Sequence, residues 1–105
     1  MAVNLETTRQ LARSYARDVR RALPVDKAVL YGSYARGDAT ELSDIDICFF
    51  LRDFGGSRRV DVIVKLLDLS DGYRGVPFEP IAFQSSEIER GNPFVKEILA
   101  TGIEI

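Results

Sequence analysis

Two aspartates one residue apart, Asp44 and Asp46, head an apolar run that continues Ile47-Cys48-Phe49-Phe50-Leu51. In an extended strand, residues two apart share a face. Asp44, Asp46, Cys48 and Phe50 then point one way, and Ile45, Ile47, Phe49 and Leu51 the other. Two carboxylates set side by side repel each other and resist desolvation. A divalent cation removes both problems, and oxygen donors suit hard cations such as magnesium. Upstream, the run Lys27-Ala28-Val29-Leu30-Tyr31 ends in Gly32-Ser33. A strand that ends in glycine and turns into a helical start exposes backbone N–H groups that attract phosphate. The Ser33 hydroxyl can donate to a phosphate oxygen, and Arg36, three residues on, can reach the same anion. Together these residues form a polyphosphate cradle facing a cation cluster. In-line phosphoryl chemistry uses this combination, with metals about 3.5–4 Å apart and fixed donors for the nonreacting phosphates.

Each residue also has a plainer reading. Asp44 can cap a strand while Asp46 faces solvent, and Ser33 can serve only as a helix cap, a geometry it shares with phosphate binding. Arg36 divides between a phosphate contact and a surface ion pair. Tyr31 and Tyr34 read as packing residues, and Cys48 as a small core residue.

Absences narrow the chemistry further. The 105 residues contain no histidine and one cysteine. Ser-His-Asp and Cys-His catalysis are excluded, as is a histidine general base, and tetrahedral zinc lacks its ligands. Neither Gly-x-x-x-x-Gly-Lys-Ser/Thr nor Gly-x-Gly-x-x-Gly occurs. A lone Cys48 makes no internal disulfide, and a reducing cytoplasm is the simplest compartment. No run approaches the roughly 20 apolar residues of a membrane span, and Met1-Ala2-Val3-Asn4-Leu5-Glu6 does not read as a signal peptide. Net charge is −2. Residues 1–25 carry five Arg against Glu6 and Asp18, while the remainder carries nine basic and fourteen acidic residues. A domain built to grip long nucleic acid is ordinarily more basic than this.

The elements that must position these groups follow from pattern. The length fits a single domain over 1–105. So small a domain buries only part of its surface, and a partner or a second copy (a homo-oligomer) can complete its stability. Asn4, Thr7 or Thr8 caps a first helix that runs to about Leu23 and stops at Pro24. Its apolar face is Leu5, Thr8, Leu11, Ala12, Tyr15, Ala16, Val19, Ala22 and Leu23, with Arg9, Arg13, Arg17 and Arg21 as a basic stripe opposite. Strands are expected at Lys27–Tyr31 and from Asp44 to about Arg52, with a helical turn over Ser33–Arg36 between them. Ser57 can cap a helix from Arg58 to about Ser70, with Val60, Ile63, Val64 and Leu67 as its apolar face and Gly72 as its stop. A third strand is expected from Val76 to Phe83, placed at an edge or a bulge by Pro77 and Pro80. Ser86-Glu87-Ile88-Glu89 has a capping-box pattern, and Asn92-Pro93 starts a last helix that ends at Gly102. Ile103-Glu104-Ile105 can begin another strand.

The joint pattern resembles the nucleotidyltransferase superfamily that includes DNA polymerase beta, and specifically its minimal (MNT) members. Their signature is Gly-Ser at a strand end, about ten residues, then Asp-x-Asp in the next strand. Here ten residues, Tyr34 to Ser43, separate Ser33 from Asp44. The surrounding Gly-Ser-Tyr-Ala-Arg-Gly, Ser-Asp-Ile-Asp-Ile and the Phe-Val-Lys-Glu-Ile-Leu-Ala-Thr-Gly-Ile-Glu-Ile ending are similar too. The resemblance implies an α/β (α+β) nucleotidyltransferase fold, a small mixed sheet with helices packed on it. It implies a third carboxylate in a later strand, and Glu79 is the match. Many relatives have Asp there, and the following Pro80 is unusual.

By the same resemblance, Asp44, Asp46 and Glu79 are the catalytic and metal-binding set, holding two magnesium (Mg2+) ions. Gly32, Ser33 and Arg36 would bind the nucleotide, ATP or another NTP. The implied reaction moves a nucleoside monophosphate to an acceptor hydroxyl and releases pyrophosphate. Minimal members often pair with a small helical HEPN-type protein in toxin–antitoxin systems, and some add AMP to a partner tyrosine. Two other readings stay open on the residues. One is a non-catalytic module that neutralises a partner by contact, and the other is RNA-end modification guided by the basic first helix.

Overall fold

The computed structural model describes residues 4–105. The reading of the extreme N-terminus therefore falls partly outside the described residues, at Met1-Ala2-Val3. Asn4 takes the cap: its side chain accepts from the Thr7 backbone N–H at 3.1 Å and opens α1, Leu5–Ala22. A strand, β1, follows over Val25–Tyr31, starting directly after Pro24. Then come a short turn, α2, at Ser33–Arg36, and β2 at Ile45–Leu51. The second half comprises α3 at Arg59–Leu69, β3 at Phe78–Gln84, α4 at Pro93–Thr101 and β4 at Ile103–Glu104. The strands form one mixed sheet in the order β3-β2-β1-β4. β1 is antiparallel to β2 and β4, whereas β2 and β3 run parallel with unbroken register from Ile45↔Phe78 to Leu51↔Gln84. β3 is an edge strand, as its prolines predict, and it carries no bulge.

Helices cover both faces of the sheet. On one face, Ala12, Tyr15, Ala16 and Val19 of α1 and Val62 and Leu66 of α3 pack against Leu30, Ile47, Phe49 and Leu51. Tyr15 is its centre: the ring stacks on Phe78 at 4.5 Å and meets Phe49 edge-on at 5.6 Å. Its hydroxyl donates to the Leu66 carbonyl at 2.5 Å, joining α1 to α3. On the other face, Val95 and Ile98 of α4 cover Val29, Cys48, Phe50 and Phe83. The strand alternation read from the sequence is therefore the one observed, with Asp46, Cys48 and Phe50 on the α4 side. Cys48 is a core residue whose thiol burial pushes up to about 12. Among the described residues, no helix is long and apolar enough to cross a membrane.

Several local expectations need correction. The apolar face of α3 is Val62 and Leu66, with Ile63 packed beside them, while Val60, Val64 and Leu67 are exposed. The helix is apolar on both sides, so periodicity alone did not fix which side meets the sheet. Its cap is Arg58 rather than Ser57, and Asp61 accepts from the Arg58 backbone N–H at 3.2 Å and its Nε at 3.1 Å. Ala22 and Leu5, at the two ends of α1, are exposed. The Ser86 capping box does not form; Ser85–Ile88 is a 3₁₀ turn without a side-chain cap. The Asn92-Pro93 start holds, with Asn92 accepting from the Phe94 backbone N–H at 2.9 Å.

Candidate active site

The sheet brings the sequence-selected groups to one end of one face. In register, Tyr31 of β1 lies opposite Asp46 of β2, and Asp46 opposite Glu79 of β3. Side chains opposite each other on neighbouring strands share a face, so Asp46 and Glu79 are neighbours. Asp44 does not lie in the strand as expected; β2 begins one residue later, where Ile45 N–H donates to the Pro77 carbonyl at 2.8 Å. Even so, Asp44 reaches the same cluster. The Glu79 carboxyl is held above its ordinary value first by a hydrogen bond with the Asp44 carboxyl, then by burial, then by the charges of Asp46 and Asp44. Asp46 is likewise raised, by burial and by the Asp44 charge, with Arg36 pulling the other way. Three carboxyls therefore interact at one spot, and a guanidinium is close enough to be felt.

The Gly32-Ser33 corner is pressed against this cluster. Gly32 has φ 74° and ψ −149°, a conformation open essentially to glycine alone. A Cβ at this position would fall inside 3.0 Å of Asp46 Oδ2, with Asp46 Cγ at 3.2 Å. Glycine is thus required twice, by conformation and by the approach of the carboxylate. From Gly32 the chain enters α2, whose first N–H groups have no acceptor within the helix. The Ser33 hydroxyl has no hydrogen-bond partner among the described residues. Arg36 touches Asp38 at 3.5 Å, and both side chains are more than half exposed, so this weak pair leaves the guanidinium free to swing.

A cleft of about 310 Å³ opens at this point, lined by Gly32, Ser33, Arg36 and Asp46 on one side and by Phe94, Glu97 and Thr101 of α4 on the other. The α4 residues were not singled out from sequence; the available signal was the spacing 94, 97, 101, which places an aromatic ring, an acid and a hydroxyl along one side of the helix. Tyr31 also lines the cleft, and burial, followed by the charges of Asp46, Cys48 and Glu79, pushes its hydroxyl above the usual range. A larger hollow of about 660 Å³ beside Thr8, Tyr34 and Val76 holds none of Asp44, Asp46 and Glu79.

The donor chemistry of the cluster fits a hard divalent cation. All donors are oxygen, and beside burial the Asp44 charge helps to raise Asp46, a repulsion that positive charge relieves. Among the described residues, no three His, Cys, Asp or Glu side chains are arranged closely enough to hold a metal ion as they stand, so the three carboxyls would have to draw together around it. Asp44, Asp46 and Glu79 are the residues that would hold such an ion.

Comparison with known proteins bears on the family and the fold. The family described as the nucleotidyltransferase domain matches residues 12–98. A Methanocaldococcus jannaschii protein named "Putative protein adenylyltransferase" is 24% identical over 98 residues, covering 91% of this chain and 96% of that protein. A second protein of the same name and organism is 49% identical over 43 residues, covering 41% of this chain and 42% of its own length. A Sulfolobus solfataricus crystal structure described as a "putative nucleotidyltransferase" superposes with a TM-score of 0.71 at 24% identity, covering 95% of this chain and 80% of that one, which supports the fold. With the matched segment running from α1 through α4 and enclosing every residue of the cluster, the chain belongs to the nucleotidyltransferase domain family.

Proposed function

We propose that this protein transfers AMP from ATP to a protein hydroxyl, with magnesium held by Asp44, Asp46 and Glu79. The observation that carries the proposal is the packing of the Gly32-Ser33 corner against Asp46, which sets a phosphate cradle beside a carboxylate cluster. Ser33, the first N–H groups of α2 and Arg36 would hold the nonreacting phosphates. The acceptor oxygen attacks the α-phosphorus; that O–P bond forms, the bond to the β-phosphate bridging oxygen breaks, and pyrophosphate leaves. Glu79, opposite Asp46 in the parallel register, takes the hydroxyl proton. Magnesium, when bound, supplies positive charge to the reacting phosphate and the acceptor oxygen.

A protein acceptor is favoured by the names of the two M. jannaschii relatives. The minimal-family resemblance narrows it to a tyrosine of a small helical HEPN-type partner in a toxin–antitoxin pair. Incubation with α-labelled ATP, magnesium and the co-encoded partner tests the reading. Label should appear on the partner with wild-type protein and be absent with Asp44→Asn/Asp46→Asn. If that folded double variant still neutralises the partner in full, contact rather than transfer explains the pairing.

A further inference from the structure

The two walls of the cleft differ in chemistry. The β1–α2 corner offers N–H groups, a hydroxyl and a guanidinium, which suit phosphate. The α4 wall offers Phe94, Glu97 and Thr101, which share one helical face by their spacing. A carboxylate repels phosphate, so this wall suits the uncharged part of a nucleotide. Phe94 is 49% exposed, although its edges are fixed by Tyr31 at 6.1 Å and Phe83 at 6.0 Å. A ring held in place and open to the cleft is a stacking platform for a base. The Glu97 carboxylate has no ion pair or hydrogen bond among the described residues. Carboxylate oxygens accept hydrogen bonds, and ribose hydroxyls donate them. Acidic side chains take the ribose 2′-hydroxyl in other nucleotide folds by the same chemistry. Thr101 donates its hydroxyl hydrogen to the Glu97 carbonyl at 2.8 Å, leaving its oxygen as an acceptor too.

We propose that Phe94 and Glu97 form a ribonucleoside subsite, the ring stacking on the base and the carboxylate accepting from the ribose hydroxyls, so that the protein selects ribonucleotides over deoxyribonucleotides. This deepens the nucleotide reading above and rests on it. Equilibrium titration with ATP, dATP and inorganic triphosphate, each with magnesium, is the test. Wild type should prefer ATP to dATP by about tenfold, the scale of one hydrogen bond to a charged group. Glu97→Ala should bring the ATP/dATP ratio to about one. Phe94→Leu should weaken both nucleotides by about tenfold and leave inorganic triphosphate unchanged. Both side chains are exposed, and circular dichroism checks that the variants fold. A wild-type ratio near one, or a ratio that survives Glu97→Ala, overturns the subsite. Binding of inorganic triphosphate but neither nucleotide also overturns it, while sparing the phosphate cradle. Failure of all three ligands overturns the nucleotide reading beneath it as well.

Discussion

Gly32→Ala is the substitution whose cost can be worked most directly from the structure. The backbone at φ 74°, ψ −149° is open essentially to glycine, and holding another residue there costs about 1–3 kcal/mol. The new methyl also falls inside 3.0 Å of Asp46 Oδ2, so the carboxylate must turn aside. Forcing a side chain off its rotamer costs about 0.5–1.5 kcal/mol. The two effects together predict a loss of about 1.5–4.5 kcal/mol, a large part of the 5–15 kcal/mol that holds an ordinary domain. In a domain of this size the melting temperature should fall by at least about 6 °C. Urea unfolding of wild type, Gly32→Ala, Asp46→Ala and the double variant separates the two contributions. Gly32→Ala should cost about 0.5–1.5 kcal/mol less where Asp46 is already Ala, because only backbone strain then remains. A Gly32→Ala protein within about 0.5 kcal/mol of wild type, or an equal cost in both backgrounds, would refute the close approach of corner and carboxylate.

Other outcomes follow from the same geometry. Asp46 and Glu79 have folded-state values above their ordinary ones, so folding favours their protonated forms. Their stabilising contribution is full below the ordinary carboxylate range and is lost as pH rises through the raised values. Magnesium should therefore raise the melting temperature at about pH 7 and leave it unchanged at about pH 4, as read by scanning fluorimetry. Equal response at both pH values would count against a carboxylate cluster. Tyr15→Phe removes the buried hydroxyl that binds the Leu66 carbonyl and should cost about 1–2 kcal/mol in denaturant unfolding, with nucleotide binding unaffected because the bond lies on the opposite face of the sheet.

How much was legible beforehand depended on whether local pattern settles the question. The orientation of Asp46 was readable because strand alternation has a period of two and its neighbours are strongly apolar. The need for Gly32 was readable as a turn, but its contact with Asp46 depends on β1 pairing with β2 and was not. Glu79 came from family resemblance; nothing local distinguishes it from a solvated edge acid until the parallel register sets it opposite Asp46. The α3 face was misread because Val60, Val64 and Leu67 compete with Val62 and Leu66 for the sheet, and only tertiary packing decides between them. Phe94 and Glu97 were missed for a similar reason. They stand about fifty residues beyond the Asp pair, and only the folding of α4 back over β1 and β2 carries them to the cleft.

Pro80 sits in the outermost strand, paired in register with Ile47 and flanked by the cluster acid Glu79. An edge proline turns its missing N–H toward the open side, so an extended peptide aligned along that border finds a gap in its row of donors. The residue that follows the third carboxylate thus guards the molecule against strand-by-strand stacking with its own kind. Replacing Pro80 with valine would restore a continuous template and invite self-association at high concentration, a hazard that a light-scattering series against concentration would reveal.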